Sequence, residues 1–555
     1  MSESLILYQF EMSESLILSL PSKQLPFFCP KLPCEIVISV QAKKQGENIM
    51  KKMNYAIRRT QVLDECCTIK ILIVVDGDNG DVSLIQFNDL AEHHFEGAPP
   101  FGMGYILDIL EQDAPGFVKF EVHCATREST YSESTQSSQR QVEVNFRFTP
   151  EKIDLYDEIW LFGYNGQDDE LALNAAELNA LHEWMNRGGG ILAMGDHEDL
   201  GAAICKDIQR VRFMRHWTTS QGVPSRVGED RYDTNRPATD EQRSGDEYMP
   251  FWNQSDNILQ PLLDTIDHCI LAIPGDQGPL RLFPDHPHEG EVYRDGEGIQ
   301  PGYDDFPNGS QPETIAWVET FIQDNKTRRA KGRVRSHKFG ALGVYDGFTE
   351  QVGRIVVDST WHHWFNINLI GMKEADDQTN YDRYKIFVHN VACWLAPKQQ
   401  QKQMYLRAIW HSQFTSQVME NYYISNASWT YKDTQEVLKA FVSESFRKDW
   451  LSLWYPKELL NPEKESRDGL FHEWSPYKCP HWEVLEAELL QGVIAELRPL
   501  ILEMMRKKRT SVEEQELTEL FEKGSLQGVW NTMKHWSEVI DKQRTMKEMY
   551  AAKIR

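Results

Sequence analysis

The chain is poor in cysteine, has no long apolar run, and carries too few basic residues to balance its acids. Nine cysteines occur in 555 residues. The only close ones are Cys29 with Cys34 and the adjacent Cys66 and Cys67, so no CxxC pair is present. That excludes zinc-ribbon and thioredoxin-like frameworks. An odd count without framework spacing reads as the reduced thiols of a cytoplasmic protein. No apolar stretch reaches the roughly 18 residues of a transmembrane helix, so no membrane partner is expected. With 59 Lys and Arg against 84 Asp and Glu, the net charge is −25. A chain of that sign lacks the basic face that nucleic acid requires, and a small-molecule or cationic ligand suits it better.

What is present is ordinary globular composition. Hydrophobic residues make up 41% and charged residues 26%, with 16 Trp and 25 Phe, which excludes wholesale disorder. At about 150 residues per domain, the length suggests about three domains or two large ones. The first residues hold a tandem copy, MSESLIL at Met1–Leu7 and again at Met12–Leu18. Glu3 and Glu14 stand where a signal peptide carries basic residues. We read residues 1–68 as a partly disordered N-terminal extension, with Met50 or Met53 as an alternative start and a short anchor as the competing reading.

From Lys70 onward apolar runs alternate with helical periodicity. KILIVVDGD (Lys70–Asp78), VKFEVHCA (Val118–Ala125), DEIWLFGYN (Asp157–Asn165), GGGILAM (Gly188–Met194), HCILAI (His268–Ile273) and GRIVVD (Gly353–Asp358) read as strands, the first with the continuous apolar character of a doubly covered parallel strand. Helices are expected over about 101–112 and 174–187, the second closed by Gly188, and a third after GGGILAM. This pattern predicts an α/β domain over residues 69–397, a doubly wound and mainly parallel sheet. After Pro397 the chain holds 23 basic and 23 acidic side chains, so the negative charge lies upstream. There Leu485, Leu489, Val493, Leu497, Leu500 and Met504 form one helical stripe, with a kink expected at Pro499, and Ser511 with Glu514 resembles a capping box. Residues 398–555 are therefore expected to be an all-α domain. Its stripe reads as core, or as a face for a protein partner or for self-association. The basic run Arg506–Arg509 reads as a solvated helix end.

In open α/β sheets ligands bind beyond the carboxyl ends of the strands, and here those ends are polar. The first strand leads into Asp76 and Asp78. GGGILAM leads into Gly195, Asp196, His197 and Glu198, and the last strand leads into Thr360, Trp361, His362 and His363. Asp196, His197, Glu198, His362 and His363 are the candidate catalytic residues, with Asp76 and Asp78 in substrate binding. The plainer readings are Asp196 as a helix cap and the histidines as packed neighbours of Trp361 and Trp364. Arg210, Arg212 and Arg215 form a basic island that could hold an anionic group of a substrate, or pair with the domain's own carboxylates. The stiff loop FPDHPHEGE offers His286, His288 and Glu289 as ligands for a divalent metal ion, a surface loop being the alternative.

ILIVVDGD, YDEIWLFG, GGGILAMGDHEDLG and VVDSTWHHW together resemble the class I glutamine amidotransferase-like superfamily, nearest its trehalose-utilisation-like branch, over residues 69–397. The resemblance implies a flavodoxin-like sheet, a nucleophile elbow after GGGILAM, and a catalytic histidine at the place of His362 or His363. The chain departs from the family at the elbow. Gly195–Asp196–His197 replaces the cysteine, Cys205 lies about two helical turns on, and the HPE triplet, in which the family's glutamate follows its histidine by two, is absent. Without a thiolate, glutamine hydrolysis by that route is not implied. The residues point first to a hydrolase-like enzyme using a metal-activated water on a small anionic substrate. The competing readings are a non-catalytic small-molecule-binding protein that reports through the helices, and an interaction protein with a vestigial pocket.

Overall fold

A computed structural model describes residues 67–76, 102–129, 141–166, 171–196, 199–217, 259–262, 264–265, 267–275, 278–284, 290–292, 305–319, 338–415, 418, 431–455, 482–506, 512 and 514–554. In chain order the strands are β1 (Thr68–Val75), β2 (Lys119–Thr126), β3 (Val142–Glu143), β4 (Glu158–Phe162), β5 (Gly190–Met194), β6 (Leu259–Pro261), β7 (Asp264–Thr265), β8 (Leu282–Pro284), β9 (Glu313–Glu319), β10 (Lys338–Tyr345) and β11 (Ile355–Asp358). The helices are α1 (Gly104–Gln112), α2 (Pro150–Ile153), α3 (Ala175–Asn186), α4 (Ala202–Cys205), α5 (Asn366–Lys373), α6 (Thr379–Leu395), α7 (Lys398–Gln413), α8 (Tyr431–Phe441), α9 (Glu444–Leu451), α10 (Trp482–Met505) and α11 (Glu514–Ile554).

Nine strands form one sheet in the order β3-β2-β1-β4-β5-β11-β10-β9-β7. The six from β3 to β11 are parallel, and β10, β9 and β7 continue the sheet antiparallel. The strand order reverses at the β1/β4 pair. Because side chains alternate along a strand, β1 feeds two cores. Ile69, Ile71, Ile73 and Val75 face a layer that includes α1, α6 and the helices beyond Pro397, while Leu72 and Val74 face one built on α3, Ile204 and Trp217. Helices thus cover both faces, which is why these strands read as unbroken apolar runs.

Local signals explain the helix ends. Asn174 and Glu177 form a capping box at the start of α3, and Gly188, at φ 109°, lets the chain turn into β5. Past Pro397 the described regular structure is helical, and its core is continuous with that of the sheet: Phe117 lies 6.1 Å from Phe441 and 5.9 Å from Trp450 between ring centroids. The stripe Leu485, Leu489, Val493, Leu497 and Leu500 is buried, and α10 runs through Pro499 without a break. Ser511 lies outside the described residues.

Two expectations need correction. HCILAI is not a strand. Cys269–Leu271 is a 3-10 turn capped by the His268 ring, and the Asn390 side chain binds the carbonyls of Cys269, Ile270 and Ala272 at 3.1, 3.1 and 2.8 Å. A side chain from α6 therefore satisfies backbone groups that a ladder would otherwise take. The helix after β5 is only Ala202–Cys205, and its N-cap is Gly201, not Asp196. Gly201 has φ 97°, and a Cβ on Gly163 would overlap its Cα, so the β4 and β5 exits close tightly around a residue without a side chain.

Candidate functional site

β5 and β11 lie side by side and parallel, with Met194 opposite Asp358, so the segments after them emerge at one edge of the sheet. Gly195 and Asp196 follow β5. Ser359, Thr360 and the 3-10 turn Trp361–Trp364 follow β11. The Trp361 amide donates to the Gly195 carbonyl at 2.9 Å, tying the turn to β5. Thr360 Oγ1 donates to Asp196 Oδ1 at 3.1 Å and accepts from the His362 amide at 3.1 Å. His362 points Nε2 at Asp196 Oδ2, 3.7 Å away, and Nδ1 lies 2.9 Å from Asn368 Oδ1 on α5. With Asn368 Oδ1 accepting, Nδ1 carries the ring proton and Nε2 is left to face the carboxylate. Trp361 stacks on the His362 ring with centroids 3.8 Å apart, and Tyr164, from the β4 exit, lies 5.8 Å from Trp361. Asp196 is 1% exposed and His362 4%.

The adjacent histidine goes elsewhere. His363 Nδ1 lies 2.8 Å from Asp358 Oδ1, Trp364 Nε1 donates to Asp358 Oδ2 at 2.9 Å, and the Tyr384 hydroxyl donates to the His363 carbonyl. His363 is fully buried in the aromatic layer, 4.7 Å from the Phe283 ring. Of the two histidines, only His362 meets Asp196.

The basic island divides. Arg215 is fully buried and donates to the carbonyls of Asp196, Ser359 (2.8 Å) and His216 (2.9 Å), with its guanidinium 4.8 Å from the Trp217 ring centroid. Burial pulls it down to about 10, against the opposing pull of Asp196, Cys205 and Asp358. Arg210 and Arg212 lie at the other end of the parallel strands. Arg210 donates to Asn186, the last residue of α3 before the start of β5, at 2.8 Å. Arg212 forms a bidentate pair with Asp305 at 2.8 and 2.7 Å, and Asp305 also accepts the Arg210 amide at 3.1 Å. The structure therefore does not bring Arg210 or Arg212 to Asp196.

Asp76, at the β1 exit, is fully buried and accepts from the amides of Tyr164 at 2.7 Å and Asn165 at 3.0 Å. Burial pushes its carboxyl up to about 7, against these two N–H bonds. It bridges the β1 and β4 exits where the strand order reverses. Cys205 is fully buried, its Sγ 3.9 Å from the Met194 carbonyl, and burial raises its thiol well above the usual range. It offers no thiolate to replace the missing elbow nucleophile.

No family model and no curated protein matches this chain. Among solved structures it is similar to one described as "mmIFT52 N-terminal domain", with a TM-score of 0.26 and 10% identity over 45% of this chain and 85% of that one.

Asp78, His197, Glu198, His286, His288 and Glu289 lie outside the described residues. The residues that flank the metal-ligand candidates are placed. On one side the Phe283 ring packs on His363. On the other, the Gly290 amide donates to the Ser359 carbonyl at 3.1 Å, and a Cβ on Gly290 would collide with the Arg215 guanidinium. Gly290 thus lies beside the Asp196 carbonyl, and Phe283 beside His363. Among the described residues no group of three His, Cys, Asp or Glu side chains is arranged to hold a metal. Sequence reading did not single out Tyr164 or Asn368. Asn368 carried a signal: with Asn366 it is one of two polar residues in the run NINLIGM, six positions after His362.

Proposed function

We propose that the carboxyl end of the sheet is a hydrolase-like site for a small molecule, built on a doubly wound fold of the glutamine amidotransferase-like type and served by a divalent metal ion. The observation that carries this reading is a convergence: Asp196 and His362 meet across 3.7 Å, and Gly290, which follows the candidate ligands in the chain, lies against the Asp196 carbonyl and Arg215. An acidic oxygen with imidazole nitrogens suits a divalent transition ion. Asp196, His286, His288 and Glu289 would hold that ion, which supplies an activated water. His362 takes or gives a proton at Nε2, with Asn368 fixing its ring. Arg215 holds the Asp196 backbone, Trp361 backs the His362 ring, and the half-buried Tyr164 offers aromatic surface to the substrate. Arg210 and Arg212, engaged with Asp305 and Asn186, play no part in it.

A second reading, a non-catalytic binding protein, is favoured by burial: Asp196 and His362 are almost fully enclosed, and Asp76 is taken up by the chain's own amides. Metal analysis of the purified chain separates the two. The hydrolase reading expects about one divalent ion per chain, lost in the His286→Ala/His288→Ala double variant, and hydrolytic activity lost in His362→Gln with the ion retained. Metal content that survives the double variant would remove the proposed ligands, and a metal-free protein that binds small molecules without turnover would favour the second reading.

A further inference from the structure

α11 runs for 41 residues, whereas α10, the helix it packs against, runs for 24. At about 1.5 Å per residue, α11 is about 60 Å long and outreaches α10 by about 25 Å. Its inner face is covered: Leu517, Phe521, Ser525 and Thr532 are buried, and the Thr532 hydroxyl lies 3.0 Å from that of Tyr455. A second face is not. At about 100° per residue, Glu519, Leu526, Trp530, Met533, Ser537 and Arg544 share it. Leu526 is 67% exposed, Trp530 65% and Met533 53%. Scattered apolar residues on a surface are ordinary. A ridge at i, i+4 and i+7 is the anchor pattern by which one helix lies along another.

The charge along α11 says what lies along it. Before Lys534 the helix holds four acids and one base; from Lys534 to the chain end there are six bases and three acids. One half therefore carries −3 and the other +3. Such a helix complements itself when two copies run antiparallel, the arrangement of an isologous dimer. The ridge fits the same register. A two-fold axis passing between Asn531 and Thr532 sets Trp530 against the partner's Met533, Leu526 against the partner's Ser537, and Glu519 against the partner's Arg544. Within the chain both charged groups are exposed and only locally engaged: Glu519 accepts from Gln515 at 3.0 Å, and Arg544, 73% exposed, lies 3.6 Å from Glu548.

We propose that α11 is an antiparallel dimerisation helix, by which two copies of this chain associate through the Leu526–Trp530–Met533 ridge and two Glu519–Arg544 pairs. Sedimentation of the full chain tests it. The expected result is a species of twice the chain mass at micromolar concentration. Trp530→Glu should weaken association at least about tenfold with unchanged circular dichroism. Glu519→Arg and Arg544→Glu should each weaken it, and the double reversal should restore it, because only this register brings the two positions together. A chain that stays monomeric up to about 100 μM overturns the proposal. So does a dimer indifferent to Trp530→Glu, or a double reversal no tighter than either single one.

Discussion

Arg354 grips Asp449 through two parallel hydrogen bonds, Nη1 to Oδ2 at 2.9 Å and Nη2 to Oδ1 at 2.8 Å. Arg354 immediately precedes β11; Asp449 belongs to α9. The guanidinium also binds Asp346 at 3.0 Å, Gln401 at 3.1 Å and the Trp394 carbonyl at 3.3 Å, and it lies between the rings of Phe348 and Trp394. One buried cation thus joins the sheet to the helices beyond Pro397. Removing one partner of such a pair leaves an uncompensated buried charge, at a cost of about 3–5 kcal/mol. Asp449→Ala should fall at the low end, because Asp346 remains. Urea unfolding followed by circular dichroism measures it, and a loss well under about 1 kcal/mol would show that the joint is not a structural one.

Asp76 gives the protein a pH dependence of definite sign. Its folded value, about 7, lies above the ordinary 3.8. A raised value means that the folded state favours the protonated acid. The associated stability is complete below the ordinary value and is lost as pH rises through about 7, with a slope of about 1.4 kcal/mol per pH unit between the two. Asp76→Asn cannot ionise. Its stability relative to wild type should therefore improve from pH 5 to about pH 7 and level off above it. A flat difference would mean that the Tyr164 and Asn165 amides keep the carboxylate ionised throughout.

Cys205 should be inert. Its thiol is fully buried, held near the Met194 carbonyl and raised well above the usual range. Reactivity follows the thiolate and its exposure. Iodoacetamide at pH 7.5 should leave Cys205 unlabelled in the native chain and label it after denaturation, read by peptide mass spectrometry. Native labelling would reopen a covalent route at the elbow.

The strands β1, β4, β5 and β11 were legible because both faces of each are covered, which writes a continuous apolar run into the sequence; β2, with Glu121 and His123 partly in solvent, alternates instead. The antiparallel strands β9 and β10 were not. β9 adjoins a stretch rich in Pro, Gly and Asp, β10 (KFGALGVY) carries two glycines and follows a basic run, and HCILAI showed a stronger apolar run that folds as a turn. The meeting of Asp196 and His362 was legible because neighbouring parallel strands must deliver their exits to one edge. The fate of the arginines was not. Arg210 sits at φ 68° and starts the 3-10 turn Val211–Phe213, a reversal that no side-chain pattern announces. It leaves Arg210 and Arg212 at one end of the sheet and Arg215 at the other.

The last prediction concerns Arg215 and Gly290. Arg215 supplies donors to three carbonyls, those of Asp196, Ser359 and His216, and so fixes the β5 exit against the β11 exit. Lysine has one compact ammonium group where arginine has a planar fork. Arg215→Lys therefore leaves at least one buried carbonyl without its donor, at about 1–3 kcal/mol for each group left unpaired. The guanidinium lies where a Cβ on Gly290 would stand, so Gly290→Ala must push it off those carbonyls or push away the chain that enters from residue 289. Both substitutions disturb one contact, and their effects should not add. The double variant should be less destabilised than the sum of the singles by at least about 0.5 kcal/mol, the coupling typical of touching residues. Additive losses in urea unfolding would mean that Gly290 does not rest on Arg215.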